Sequence, residues 1–358
     1  MTGKGLTKYL HGFYKDVKIC RWTGIFVFFF VQFIKEKRGK TMKKTIAKKV
    51  AEYLVTLIVV SVLIFVLIRL SRIDPVAVIL GGKNTSADVV ANTRASFNLD
   101  KPLPVQYWLW IKGLLTGNWG LDYKYQQPVM SLIGSRVPVT AGLVVGGTIL
   151  SLGVSIPLGV YTALKKNTWV DTLISTLSLI AAAIPPFVMS VVIVLILAKV
   201  APSFPITGTY NNVGEYFTRI IFPCIAMALV RMTLTMRVTR SGMTTQLESN
   251  YVQTLIAKGL PTSKIVFKHC LKNAIIPVLS VVGIQVGGMI VGAVLVESIF
   301  SLSGIGSLLI DAVKASNYPI VQDVVLILVV IYLTISTIID ILYCIIDPRI
   351  RLGAKEAD

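Results

Sequence analysis

The chain has 358 residues, 54% of them hydrophobic and 15% charged, with a mean hydropathy of +0.74. Soluble domains carry roughly 25% charge, so a soluble globular fold is excluded and the chain reads as an all-α membrane protein; its apolar runs are continuous rather than alternating, which excludes a barrel. The formal net charge of +19 leaves two explanations, nucleic-acid binding or a bias in which loops carry Lys and Arg.

Residues 1–49 are basic and hold one apolar run, Trp22 to Ile34. As a helix that run reaches only about 20 Å, too short to span. It predicts an N-terminal interfacial helix or a poorly ordered extension, and a start of synthesis at Met42 is a further reading. No small-residue cleavage pattern follows, so no signal peptide is expected. Gly39-Lys40-Thr41 is not a phosphate loop, because position 34 is Ile where that motif requires Gly. The first span is expected over 50–70. Residues 71–138 read as a long extracytoplasmic loop, with turn signals at Asp74-Pro75, Gly81-Gly82, Pro102 and Pro104. Trp108, Trp110 and Trp119 suit the headgroup region, and no nucleophile–base pair is present.

Five more spans are expected near 139–164, 170–200, 216–239, 274–299 and 320–346, followed by a tail over 347–358. Pro157 and the Pro185-Pro186 pair predict a kink or break in their helices. Six spans put both termini on one face. Thirteen Lys and Arg in 1–49 and six in 237–272 share that face, against seven in the 68 residues of 71–138. The bias assigns the termini and the polar loop 240–273 to the cytoplasm. Topology thus accounts for the charge, and no nucleic-acid partner is expected. The four cysteines form no paired framework, and two distant histidines exclude a His-rich metal site.

The stretch Glu248 to Pro277 is the most definite piece of polar chain. Ser249 or Asn250 is placed to cap a short helix through Tyr251, Gln253, Thr254, Leu255, Ile256 and Ala257. Lys258 and Gly259 follow, with Gly259 suited to a left-handed C′ position, then Leu260 and Pro261 open a second helix. Lys264, Lys268 and Lys272 fall on one face of it, available to headgroups or to an acidic partner. Within the membrane, Gly283-x-x-x-Gly287 and Gly288-x-x-x-Gly292 permit close helix approach, either to a partner, along a path, or within the chain. Gln285 is polar at mid-span. Arg231 is an intramembrane charge, facing a cavity or acid, or snorkelling to the interface.

The segment Tyr251 to Leu260 with His269-x-x-x-Asn273-Ala274-Ile275-Ile276-Pro277 resembles the "EAA" coupling loop of bacterial ABC importer permeases, in the dipeptide/oligopeptide/nickel branch. Leu255 and Ile256 replace that branch's small and basic residues. Similar matches run in order along the chain: Ile68-Arg69-Leu70 with Asp74-Pro75, Leu99 to Tyr107, Gly117 to Gly120, Glu297 to Phe300 with Gly304-Ile305-Gly306, Asp340 to Tyr343, and Asp347 to Arg351. The resemblance implies six transmembrane helices of the type I importer permease fold, with a core permease domain over 139–346. It implies a non-catalytic subunit in the bacterial cell membrane, with a second permease, two cytoplasmic ATPase subunits that bind the ATP, and an extracytoplasmic substrate-binding protein as partners. No cofactor or metal of its own is implied. Glu248, Tyr251, Gln253, Thr254, Leu255, Ile256, Ala257, Lys258, Gly259 and Leu260 would be the ATPase-coupling residues. Arg231, Gln285, Gly287 and Gly288 are candidates for the translocation path. Peptides are the implied cargo, with nickel chelates the alternative. An ion-coupled secondary transporter is the reading from another class; it predicts inverted repeats and paired intramembrane acids.

Overall fold

The computed structural model describes residues 40–70, 74–81, 86–205, 208 and 212–346, and the side chains among them from Lys49 to Ile339. The Trp22–Ile34 run and the Asp347 to Arg351 motif lie outside the described residues. The regular secondary structure of the described residues is helical, apart from one isolated bridge between Leu121 and Pro128.

Helix α1 (Lys40–Arg69) is the first span. The expected outer loop is largely helical: α2 (Pro75–Ile79), α3 (Ala87–Ser96) and α4 (Leu103–Thr116) occupy it. Asp74 caps α2 by accepting the Val76 N–H, and its other oxygen pairs with Arg94 at 2.7 Å. Pro102 bounds α4, as its turn signal predicts, while Pro104 lies inside the first turn of that helix and left-handed Gly117 closes it. The expected start of the second span is corrected, because α5 (Val129–Leu164) begins ten residues before position 139 and runs through Pro138 and Pro157.

The third span is broken. Helix α6 (Trp169–Ala183) and helix α7 (Pro186–Val200) meet at a 99° bend. Pro185 excludes Ile184 from the helical region, and Ile184 is extended at φ −91°, ψ 120°. Pro186 then starts α7 at the position where its missing N–H costs nothing. Helix α8 (Val213–Leu247) follows, then α9 (Asn250–Ala257), α10 (Thr262–Ile299), α11 (Ile305–Lys314) and α12 (Tyr318–Ile346).

Helix α8 packs along α5 and α10, and these three build the main core from Leu143, Met227, Met289 and Ala293 among others. Gly159 lets α5 approach α8 closely: a Cβ there would lie 2.7 Å from the Met236 carbonyl oxygen. Helix α1 rests against α12, with Arg69 donating to Gln322 at 2.8 Å and the Tyr53 and Thr334 hydroxyls 3.3 Å apart. That antiparallel register puts the start of α1 and the end of α12 at one end of the bundle. Val160 and Ala163 of α5 and Met243 of α8 lie at that same end, in a cluster with α9. Because α8 runs antiparallel to α5, the α6–α7 pair must carry the chain from that end to the opposite one, making six crossings.

At the opposite end the motif of Glu297, Gly304 and Gly306 acquires a physical meaning. Glu297 is fully buried. Its carboxylate accepts Thr140 Oγ1 at 2.6 Å and the Ser307 N–H at 3.0 Å, so it sits at the N-terminus of α11, where helix N–H groups lack internal partners. Any Cβ at Gly304 would collide with that carboxylate.

Candidate functional site

The polar stretch of 248–277 is shorter than its sequence suggests. Helix α8 continues to Leu247 and α10 already begins at Thr262, so the expected loop over 240–273 reduces to α9 and two short joints. Ser249 stands at the N-cap of α9, yet its hydroxyl donates back to the Gln246 carbonyl at 2.5 Å instead of capping. Gly259 has φ +74°. Its N–H donates to Ile256 O at 2.9 Å and the Leu260 N–H donates to Leu255 O at 3.2 Å, the paired bonds of a Schellman motif. Pro261 stands at the N-cap of the following helix rather than inside its first turn. The two expected helices of the loop differ in kind: the second is the opening of α10 itself, joined through a π turn at Ile265–Cys270. The wider turn brings Ile265, Val266 and Cys270 all into the buried cluster.

The inner face of α9 is apolar. Val252 is buried, and Tyr251, Leu255, Ile256 and Leu260 pack on the cluster formed with α5, α8 and α10. Leu255 and Ile256, the residues that depart from the resemblance, therefore belong to the face turned toward the bundle. Tyr251 donates to Gln246 Oε1 at 2.9 Å, and burial pushes its hydroxyl above the usual tyrosine range. The outer face is exposed and polar: Asn250, Gln253, Thr254, Ala257, Lys258 and Gly259. Lys264, Lys268 and Lys272 are exposed beside it.

Two ionic links at this end were not legible in the sequence. Glu248 accepts Lys166 at 2.6 Å, on the joint between α5 and α6. Asp171, buried on α6, takes Arg240 of α8 in a two-pronged contact at 2.7 and 2.6 Å. The only local signal was the Thr168-x-x-Asp171 start of α6, where Thr168 caps Asp171 N–H. Both links tie the α5–α6 joint to the end of α8 next to α9.

The mid-membrane candidates separate. Gln285 is buried and donates to Thr235 of α8 at 2.8 Å. Gly287 is covered by the Tyr332 ring and Gly283 by Ile339, both on α12, so this glycine face serves packing within the chain. Gly288 points elsewhere. A Cβ there would lie 2.5 Å from a guanidinium nitrogen of Arg231, so Arg231 and Gly288 are brought together and half-exposed.

The family described as "binding-protein-dependent transport system inner membrane component" matches residues 155–352, and the N-terminal family of such membrane components matches residues 42–144. The chain is 36% identical to the probable peptide ABC transporter permease protein y4tP of Sinorhizobium fredii, over 80% of this chain and 92% of that relative. It is 32% identical to the dipeptide transport system permease protein of Alkalihalophilus pseudofirmus, over 80% and 92%. To the oligopeptide transport system permease protein of Escherichia coli it is 32% identical, over 79% and 92%.

Proposed function

We propose, starting from the fact that the chain belongs to the family of binding-protein-dependent transport system inner membrane components, that it is a permease subunit of an ATP-driven peptide importer. Dipeptides or oligopeptides are the cargo, since the relatives are named for peptides; nickel chelates are not favoured, and an ion-coupled transporter is set aside by the family. The chain is a multi-pass protein of the inner membrane. Its termini and α9 face the cytoplasm, in line with the concentration of Lys and Arg on that side. It carries no catalytic residue of its own. A second permease chain completes the path, two cytoplasmic ATPase subunits supply the hydrolysis, and an extracytoplasmic binding protein delivers the peptide.

The observation that carries this reading is α9, which is apolar inside and polar outside. Its inner face is fixed to three spans while Gln253, Thr254, Ala257 and Lys258 remain exposed. A short helix held this way passes a rigid-body push from a soluble partner into the bundle. The sequence holds no phosphate loop, which supports an ATPase as that partner.

Copurification is the first test: solubilised in mild detergent, the chain brings down ATPase subunits and a second permease. Isolation as a lone chain from native membranes overturns the assignment. The second test is Gly259→Val, which forces a β-branched residue into a left-handed conformation. Peptide uptake per ATP hydrolysed falls in that variant while the complex still assembles. Unchanged coupling sinks the role of α9.

A further inference from the structure

We propose that Arg231, lying in the notch left by Gly288, is a seat for a carboxylate of the transported peptide, on the cytoplasmic half of the translocation path. The inference rests on the peptide-importer reading and adds the chemical group that is recognised and the residue that recognises it.

Arg231 lies 16 residues before the end of α8 at Leu247 and 18 after its start at Val213. These distances are about 24 and 27 Å along the axis, and Arg237, at the cytoplasmic edge of the apolar stretch, is about 9 Å away. The direction of the side chain is what argues against snorkelling. The neighbouring contact of Gln285 with Thr235 fixes the antiparallel register of α8 and α10, and in that register Gly288 stands directly across from Arg231. The guanidinium thus reaches sideways onto α10, and any side chain at 288 would occupy its place.

Among the described residues no acid neutralises the cation, and Arg231 makes no ion pair and no hydrogen bond. The buried acids among the described residues are engaged elsewhere: Asp122 by the Tyr125 and Gln126 N–H groups, Asp171 by Arg240, Glu297 by Thr140 and Ser307, and Asp323 by Trp110. Around it the surface is apolar and open. Ile284 and Val291, one turn to either side of Gly288 on α10, are each 73% exposed, and Leu234 on α8 is exposed beside them. A lone charge turned to lipid at this depth is heavily penalised, so this face borders a water-filled route or another chain. Of the ligands such a route would carry, peptides all bring a carboxylate, and the planar fork of Arg matches its two oxygens. The apolar rim suits the side chains that accompany it. Half-exposure suits transit, because a seat in a path must release what it holds.

The experiment uses the complete complex from its native membrane, reconstituted in vesicles with its binding protein. Uptake is compared for one tripeptide as the free acid, the same tripeptide amidated at its C-terminus, and an amidated form carrying a Glu side chain. Each is measured with the wild type, with Arg231→Gln and with Gly288→Ala. Taking the ratio of wild type to variant for each peptide cancels any preference of the binding protein. The expected result is a fall of roughly tenfold to a hundredfold for the free acid in Arg231→Gln. The plain amide falls by less than about threefold, and Gly288→Ala shifts the same ratio in the same direction. A fall shared by the Glu-bearing amide assigns the side-chain carboxylate as well and supports the same seat. Equal falls for acid and plain amide overturn the proposal. Loss of the second permease from the complex in Arg231→Gln also overturns it, by marking the residue as an ion pair between subunits. If the assembled wild type moves none of the three peptides, the peptide-importer reading fails first, and the two failures are told apart.

Discussion

Two short helices sit at opposite ends of α10, and they are held by different physics. Helix α11 is anchored by a buried carboxylate: Glu297 takes Thr140 and the N–H of Ser307, and Thr140 in turn accepts the Ile305 N–H at 2.8 Å. Each partner is directional, so the helix has one position. Helix α9 is held mainly by an apolar wedge around Val252, Leu255 and Ile256, with the Tyr251–Gln246 hydrogen bond and the exposed Glu248–Lys166 pair beside it. Apolar burial is non-directional, and an exposed ion pair contributes little. Both helices bury apolar side chains, α11 through Ile305, Leu308 and Ala312, so the comparison teaches that one end of α10 adds a buried set of directional bonds and the other rests mainly on area. The second arrangement is the one that tolerates a partner pressing on it.

The comparison can be broken by substitution, and the effects are ordered. Glu297→Ala has the largest, about 3–5 kcal/mol, because it strands buried donors that nothing else reaches; it is read as a drop in the thermal midpoint of the purified complex. Glu297→Gln keeps one acceptor and loses clearly less. Gly259→Val comes next, at about 1–3 kcal/mol from the left-handed backbone alone. Since nothing lies within 4 Å of that position, Gly259→Asn recovers most of the loss, and a large penalty for Asn removes the conformational explanation. Val252→Ala removes two buried carbons and costs about 1–2 kcal/mol, seen as faster amide exchange confined to α9 and its joints. A loss of protection spreading to α11 erases the distinction between the two ends. Lys264→Ala, on an exposed site, stays within about 0.5 kcal/mol in the same measurements.

Much of this was legible in the chain. Apolar runs near the length of a bilayer crossing located six crossings, and the proline pair located the break between α6 and α7. Gly259 announced its left-handed turn because no other residue adopts it so readily. Span ends were less legible: polar residues such as Arg240 and Thr244 continue α8 beyond the apolar stretch, since helix persists outside the hydrocarbon wherever its flank is packed. The π turn at Ile265–Cys270 left no composition signal, because it depends on how three side chains fit one cluster. The fate of the glycines was illegible for the same reason. Gly287 and Gly288 are adjacent in sequence, yet one meets Tyr332 and the other Arg231, a difference set by neighbours that come from distant helices.

The corner at Ile184 to Pro186 has a mechanical consequence. The two-pronged Asp171–Arg240 contact and the Lys166–Glu248 pair clamp the start of α6 to the end of α8, and α9 is wedged against the same end. These pieces form a stiff train. The corner between α6 and α7 interrupts that train, with two residues that lack an N–H and a bend of 99°. If a partner presses on α9 as proposed, the expected response is a change of angle between α6 and α7, about half a membrane away from where the push is applied.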